Sequence, residues 1–172
     1  QLSWAEALWD TVIFGDPVLQ INHIEVRGPG AKEDIGEFVR ARDAAGSKLV
    51  SCRLSHERLR ESMLLEDVGF RFIEMLYQPE FDDLQSSCTD DKQGLTITRA
   101  TEADLPEVIN AAGTAFGNER IHIDPRLSSR LGDLRYQNWV RSTLGHASQR
   151  LYALRDGQAL VAFFVTESLP GG

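Results

Sequence analysis

Cysteine is scarce in this chain: its 172 residues hold only Cys52 and Cys88. The two stand far apart, without the paired spacing of a zinc site or a redox motif, so both are expected to be free thiols. Cys52 sits in an apolar run and reads as a buried thiol rather than a nucleophile. Long apolar runs are also missing. No stretch approaches the roughly 18 residues of a membrane span, and Gln1 to Asp10 lacks the basic flank and apolar stretch of a secretion signal. The expectation is a cytoplasmic protein with no membrane role. Basic charge is in deficit, 18 Lys and Arg against 26 Asp and Glu, which leaves a formal net charge of -8. That balance opposes a general affinity for nucleic acid, because phosphate binding needs a concentrated basic face. One local anion site is compatible with it.

What is present is enough apolar material, 42% of residues, for a buried core. The most polar and least periodic stretch, 82–94, reads as a linker between a small α/β region, 1–81, and a second region, 95–172. In the first region, Val18 to Val26 has strand character, and Gly28-Pro29-Gly30 reads as a turn into a helix with Ile35, Phe38, Val39 and Arg42 on one face. Lys48 to Arg53 reads as a buried strand. Ser55 is a candidate N-cap for a helix carrying Leu59, Met63, Leu64 and Val68, and Gly69 should stop that helix in a left-handed conformation. Phe70 to Met75 reads as a further strand.

In the second region, Leu95 to Arg99 alternates as a strand, and Thr101-Glu102-Ala103-Asp104 resembles a capping box. Leu105, Val108, Ile109, Ala112 and Phe116 form an apolar helical stripe. A loop over Gly117 to Pro125 leads to a second helix with Leu131, Tyr136, Trp139, Val140 and Leu144, entered near Ser128 or Ser129. A hairpin follows, Leu151 to Leu154 and Ala159 to Thr166, joined through Arg155-Asp156-Gly157-Gln158. The fold class expected is α/β (α+β). Ala162-Phe163-Phe164-Val165 would form an apolar sheet edge, which invites a second copy, a partner or further chain to cover it.

Strand, capped helix, second helix and hairpin is the order in which GNAT acyltransferase domains begin. Trp9-Asp10-Thr11, Phe14-Gly15-Asp16-Pro17-Val18, Leu65 to Phe72, Arg120 to Arg126, Tyr136 and Trp139-Val140 together resemble the TDP-fucosamine acetyltransferase group of that family. The resemblance implies acetyl transfer from acetyl-CoA to a primary amine, with a nucleotide-linked amino sugar as the acceptor class. It covers the front of such an enzyme. The family's Gly-rich loop, whose backbone N–H groups hold the cofactor pyrophosphate, has no counterpart here, nor does its late tyrosine acid. Gly28-Pro29-Gly30 does not substitute, since proline has no N–H. The expectation is a polypeptide that continues past Gly172, or else a catalytically empty interaction fragment.

The resemblance places the acceptor side in the loop between the two helices. Arg120 and Arg126 are candidates for a nucleotide-sugar phosphate, and Asp124 for orienting the amine. His122 and Asp124, if the segment is extended, could share a side as a base with its orienting carboxylate or half a metal site. A polar loop with an Asp-Pro turn also serves simply to cap the next helix. Tyr136 and Trp139 could line a sugar site or fill the core. Trp9 and Phe14 are expected to pack around the Gly15-Asp16-Pro17 turn.

Overall fold

The computed structural model describes residues 1–28, 30–80 and 94–168. The chain is α+β, and it divides into two compact units, Gln1–Ile73 and Glu74–Gly172. The division falls before residue 81, and the expected linker, apart from Gly94, lies outside the described residues, as do Pro29 and Cys88.

The first unit contains β1 (Leu2–Glu6), α1 (Leu8–Phe14), β2 (Val18–Ile24), α2 (Ala31–Ala44), β3 (Leu49–Cys52) and α3 (Leu59–Asp67). Its sheet runs β1-β2-β3, with β1 antiparallel to β2 and β3 parallel to it. Parallel pairing needs a crossover, which α2 supplies. The core follows the expected helix face: Ile35 and Phe38 are buried against Leu19, Ile21, Ile24 and Leu65. Trp4 meets Phe38 edge-on at 5.4 Å between ring centres, and Phe70 lies 6.3 Å from Phe38 on another side. Full burial of such side chains contributes about 1.5–3 kcal/mol each.

Several expectations for this unit are corrected. The strand expected over Lys48 to Arg53 is an edge strand and only half-buried. Ser55 does not cap α3. Arg58 holds the N-cap position, and the Ser55 carbonyl accepts its N–H in the turn before the helix. Leu59 and Met63 face solvent, because α3 instead buries Leu65 and Glu61. A buried carboxylate requires partners. Glu61 accepts the Val26 N–H at 2.9 Å and has Arg58 at 3.7 Å. Gly69 ends the helix at φ +94, as its position suggested. Phe70 to Met75 forms no strand, since none of the described strands pairs with it. β1 and α1 were not anticipated; α1 buries no residue, and Trp9 is 41% exposed.

The second unit contains β4 (Leu95–Arg99), α4 (Leu105–Ala115), α5 (Arg120–Ile123), α6 (Ser129–Thr143), β5 (Gln149–Asp156) and β6 (Ala159–Glu167). Its sheet is antiparallel throughout, in the order β4-β5-β6. The capping-box reading holds in part: Asp104 Oδ2 accepts both the backbone N–H and the hydroxyl of Thr101, each at 2.8 Å. Val108 and Ala112 of α4 meet Val140 of α6 over Leu151 of β5, all buried. The hairpin turn is tighter than expected. Asp156 pairs with Ala159, so only Gly157 and Gln158 form the loop, and Gly157 alone takes a positive φ, +56. Arg155, at a strand irregularity, reaches both Asp104 (2.9 Å) and Glu107 (2.8 Å) and fastens the hairpin to the start of α4.

β6 is an edge of this sheet and exposes Val161 and Phe164, in keeping with the apolar edge expected there. Among the described residues, no helix is long and apolar enough to cross a membrane.

Candidate functional site

The segment between α4 and α6 is not an open loop. It contains α5, a single helical turn started by Glu119. Glu119 Oε1 accepts the backbone N–H groups of Ile121 (3.0 Å) and His122 (3.2 Å), which orients the carboxylate at the helix start. The same oxygen lies 2.7 Å from His122 Nδ1. His122 Nε2 lies 2.9 Å from Asp133 Oδ1 on α6.

An ionised carboxylate only accepts hydrogen bonds, so two such partners require both ring nitrogens to carry a proton. The His122 side chain is only 7% exposed. Burial by itself disfavours the charged ring, but the hydrogen bonds to Asp133 and Glu119 outweigh it, and the pKa is raised. The result is a clamped imidazolium that ties α5 to α6.

Gly132 makes the clamp possible. A Cβ there would overlap the imidazole, at 2.6 Å from Nδ1 and 2.7 Å from Nε2, with Cε1 nearer still. The helix backbone of α6 is therefore the floor on which the ring rests. His122 lies in a helical turn rather than an extended segment, and its partners are Glu119 and Asp133, not Asp124. With both nitrogens occupied, the ring offers no lone pair for a base or a metal. Among the described residues, no group of three or more His, Cys, Asp or Glu side chains could hold a metal ion.

Asp124 and Arg126 form a second device. Asp124 is 6% exposed and accepts the Arg126 backbone N–H at 3.0 Å, Nε at 2.8 Å and Nη2 at 2.6 Å. The backbone bond two residues on is an Asx turn, here across Pro125, and it delivers the chain to Ser128, the residue before α6. Asp124 thus shapes the entry to that helix. The Arg126 side chain remains 58% exposed. Arg120 donates its backbone N–H to Glu74 at 3.1 Å, and its guanidinium lies 4.0 Å from the same carboxylate.

Tyr136 stacks on Phe116, with 4.0 Å between ring centres, and meets Trp139 edge-on at 6.3 Å. Both pack against the core of this unit. Burial, and next the Glu119 charge, hold the Tyr136 hydroxyl above its ordinary pKa. His23 and His146 lie in other elements, and His146 Nδ1 accepts the Gln149 N–H at 3.2 Å.

The structure thus gathers Arg120, His122, Asp124 and Arg126 around one short turn, with His122 in one polar clamp and Asp124 and Arg126 together in another. Glu119, Gly132 and Asp133 went unnoticed in the sequence. The available signal was Gly132 itself, a helix-interior glycine that costs stability unless something must come close. No protein-family profile matches the chain, and no curated protein matches it.

Proposed function

We propose that this chain carries the front part of a GNAT-type acyltransferase that moves acetyl from acetyl-CoA to a primary amine, with a nucleotide-linked amino sugar as the acceptor class. The observation that supports it is the path of the second unit. A strand leads through two packed helices into a hairpin, and β4 lies antiparallel beside β5. The resembling strings in the sequence add the acceptor class.

In this reading, Arg126 and Arg120 anchor the acceptor phosphate, since they carry the cationic groups of the α5 turn that no short hydrogen-bonded clamp encloses completely. His122 and Asp124 hold the turn in place. Attack on the thioester needs a neutral amine, and the proton leaves to a group other than His122. Acetyl-CoA is the co-substrate. Its pyrophosphate fits a glycine-rich entry to a helix, whereas Asp104 precedes α4 and Ser128 precedes α6. Its contacts are therefore not assigned to these residues.

A second reading is favoured by the exposed apolar residues of the β6 edge: a catalytically empty interaction domain completed by a partner or a second copy. Thiol release from acetyl-CoA by the full-length protein, assayed with a nucleotide-linked amino sugar, an aminoglycoside and a polyamine, separates the two. The transferase reading expects turnover with the amino sugar, and Arg120→Gln should raise the acceptor KM several-fold while the acetyl-CoA KM stays level. No turnover with any amine would favour the interaction domain.

A further inference from the structure

Where β3 stops, β2 continues. The last parallel pair is Ile21 with Cys52, while β2 runs on to Ile24. Beyond Cys52 the chain turns away toward α3, and between the two paths lies a cleft of about 140 Å³, bordered by Asn22, His23, Cys52, Arg53, Ser55 and Arg58. This is the carboxyl end of a parallel strand pair, the end at which open α/β sheets take their ligands.

Size narrows the ligand. Pockets for organic ligands run from about 300 to 1,000 Å³. The cleft is smaller, with room for only about four or five waters at roughly 30 Å³ each. A single oxyanion, or the charged end of a small molecule, fits that space.

Charge narrows it further. In a chain with a formal net charge of -8, two arginines and a histidine line one small cleft. Arg53 makes no hydrogen bond or ion pair among the described residues. Arg58 has only the long 3.7 Å approach to Glu61, whose hydrogen bond goes to the Val26 N–H. His23 stands 3.8 Å from Glu25, which is held closely by Arg27 at 2.6 Å. The nearby acids are thus held more closely by Arg27 and the Val26 N–H, which leaves Arg53 uncommitted and Arg58 and His23 in long pairings only. Asn22 and Ser55 add neutral donors.

We propose that this cleft is a phosphate-binding site, with Arg53 and Arg58 as the charged clamp and His23, Asn22 and Ser55 completing the ring of donors. Guanidinium groups suit this ligand because their fork of N–H donors matches two phosphate oxygens at once. The ligand is inorganic phosphate or the phosphoryl end of a small ester. The site lies wholly within the first unit and does not depend on the acetyl-transfer reading.

Titration of the full chain with inorganic phosphate at fixed ionic strength, followed by amide proton–nitrogen correlation spectra, should give saturable shifts at Asn22, His23 and residues 53–58. Arg53→Gln combined with Arg58→Gln should weaken binding at least tenfold in a chain whose spectrum remains folded. Asn22→Asp keeps both arginines, adds a like charge at an exposed position, and should also weaken it. Glycerol phosphate binding more tightly than inorganic phosphate would identify an ester as the ligand, and equal binding would identify the free anion. The proposal fails if no shift saturates, if the arginine and Asn22 variants bind as the parent does, or if acetate binds equally well.

Discussion

Replacing Gly132 with alanine sets two physical effects of opposite sign against each other. By helix propensity alone, alanine inside α6 should stabilise by about 1 kcal/mol relative to glycine. The new Cβ, however, would fall inside the His122 ring, which cannot slide aside because Glu119 and Asp133 hold it from both ends. Hydrogen bonds to charged groups contribute about 1.5–3 kcal/mol each. The Asp133 side chain is 40% exposed, so its bond belongs at or below the low end of that range. Losing that bond and loosening the other should cost about 2–3 kcal/mol, for a net loss of about 1–2 kcal/mol.

The two units need not unfold together, so the assay should be local: amide hydrogen exchange across α5 and α6, for which an opening free energy can be read residue by residue. The decisive comparison is a double variant. With His122→Ala already in place the obstacle is gone, and Gly132→Ala should then stabilise α6. A substitution that stabilises the parent chain, or that changes stability equally in both backgrounds, would refute the close approach.

Two further outcomes follow from the same chemistry. Because the folded pKa of His122 is raised, its contribution is complete below the unfolded value of about 6.5 and is lost as pH rises through the folded value. Exchange in α5 and α6 should therefore quicken as pH rises above about 6.5 and through the raised folded value, beyond its ordinary base catalysis, and His122→Gln should remove the excess; an identical pH profile in the two chains would contradict the clamp. Burial pushes the Cys52 thiol from 9.0 up to about 11, so about 100-fold less thiolate is present near pH 8. Iodoacetamide should modify Cys52 about 100-fold more slowly in the folded chain than in urea, read by peptide mass spectrometry; equal rates would overturn the burial argument.

Much of the second unit was legible because its signals are local. The stripe of Leu105, Val108, Ile109 and Ala112 has helical period, and Gly157 marks a turn that few other residues can make. The first unit misled where local signal and tertiary demand part. Phe70 to Met75 has strand composition, but a strand exists only by pairing, and no described strand pairs with it. Leu59 and Met63 have helical spacing, yet the sheet meets the other side of α3 and buries Glu61, whose polar partners justify its place.

The candidate site divides in the same way. Sequence alone marked a loop between the two helices, with Arg120, His122, Asp124 and Arg126 in or beside it, and the structure makes part of it the helical turn α5. Sequence could not reveal that His122 is gripped by Asp133, eleven residues away, or that Gly132 provides the floor beneath the ring. Those relations arise when α5 folds back on α6, a contact between residues that share no periodic pattern. Sequence marked the longer helices α2, α4 and α6 and the turns at Gly69 and Gly157, because propensity and periodicity act over a few neighbours, but not the short α1 and α5. Tertiary structure decided which charges meet, because two carboxylates fix the charge of one imidazole only when packing brings all three within hydrogen-bond reach.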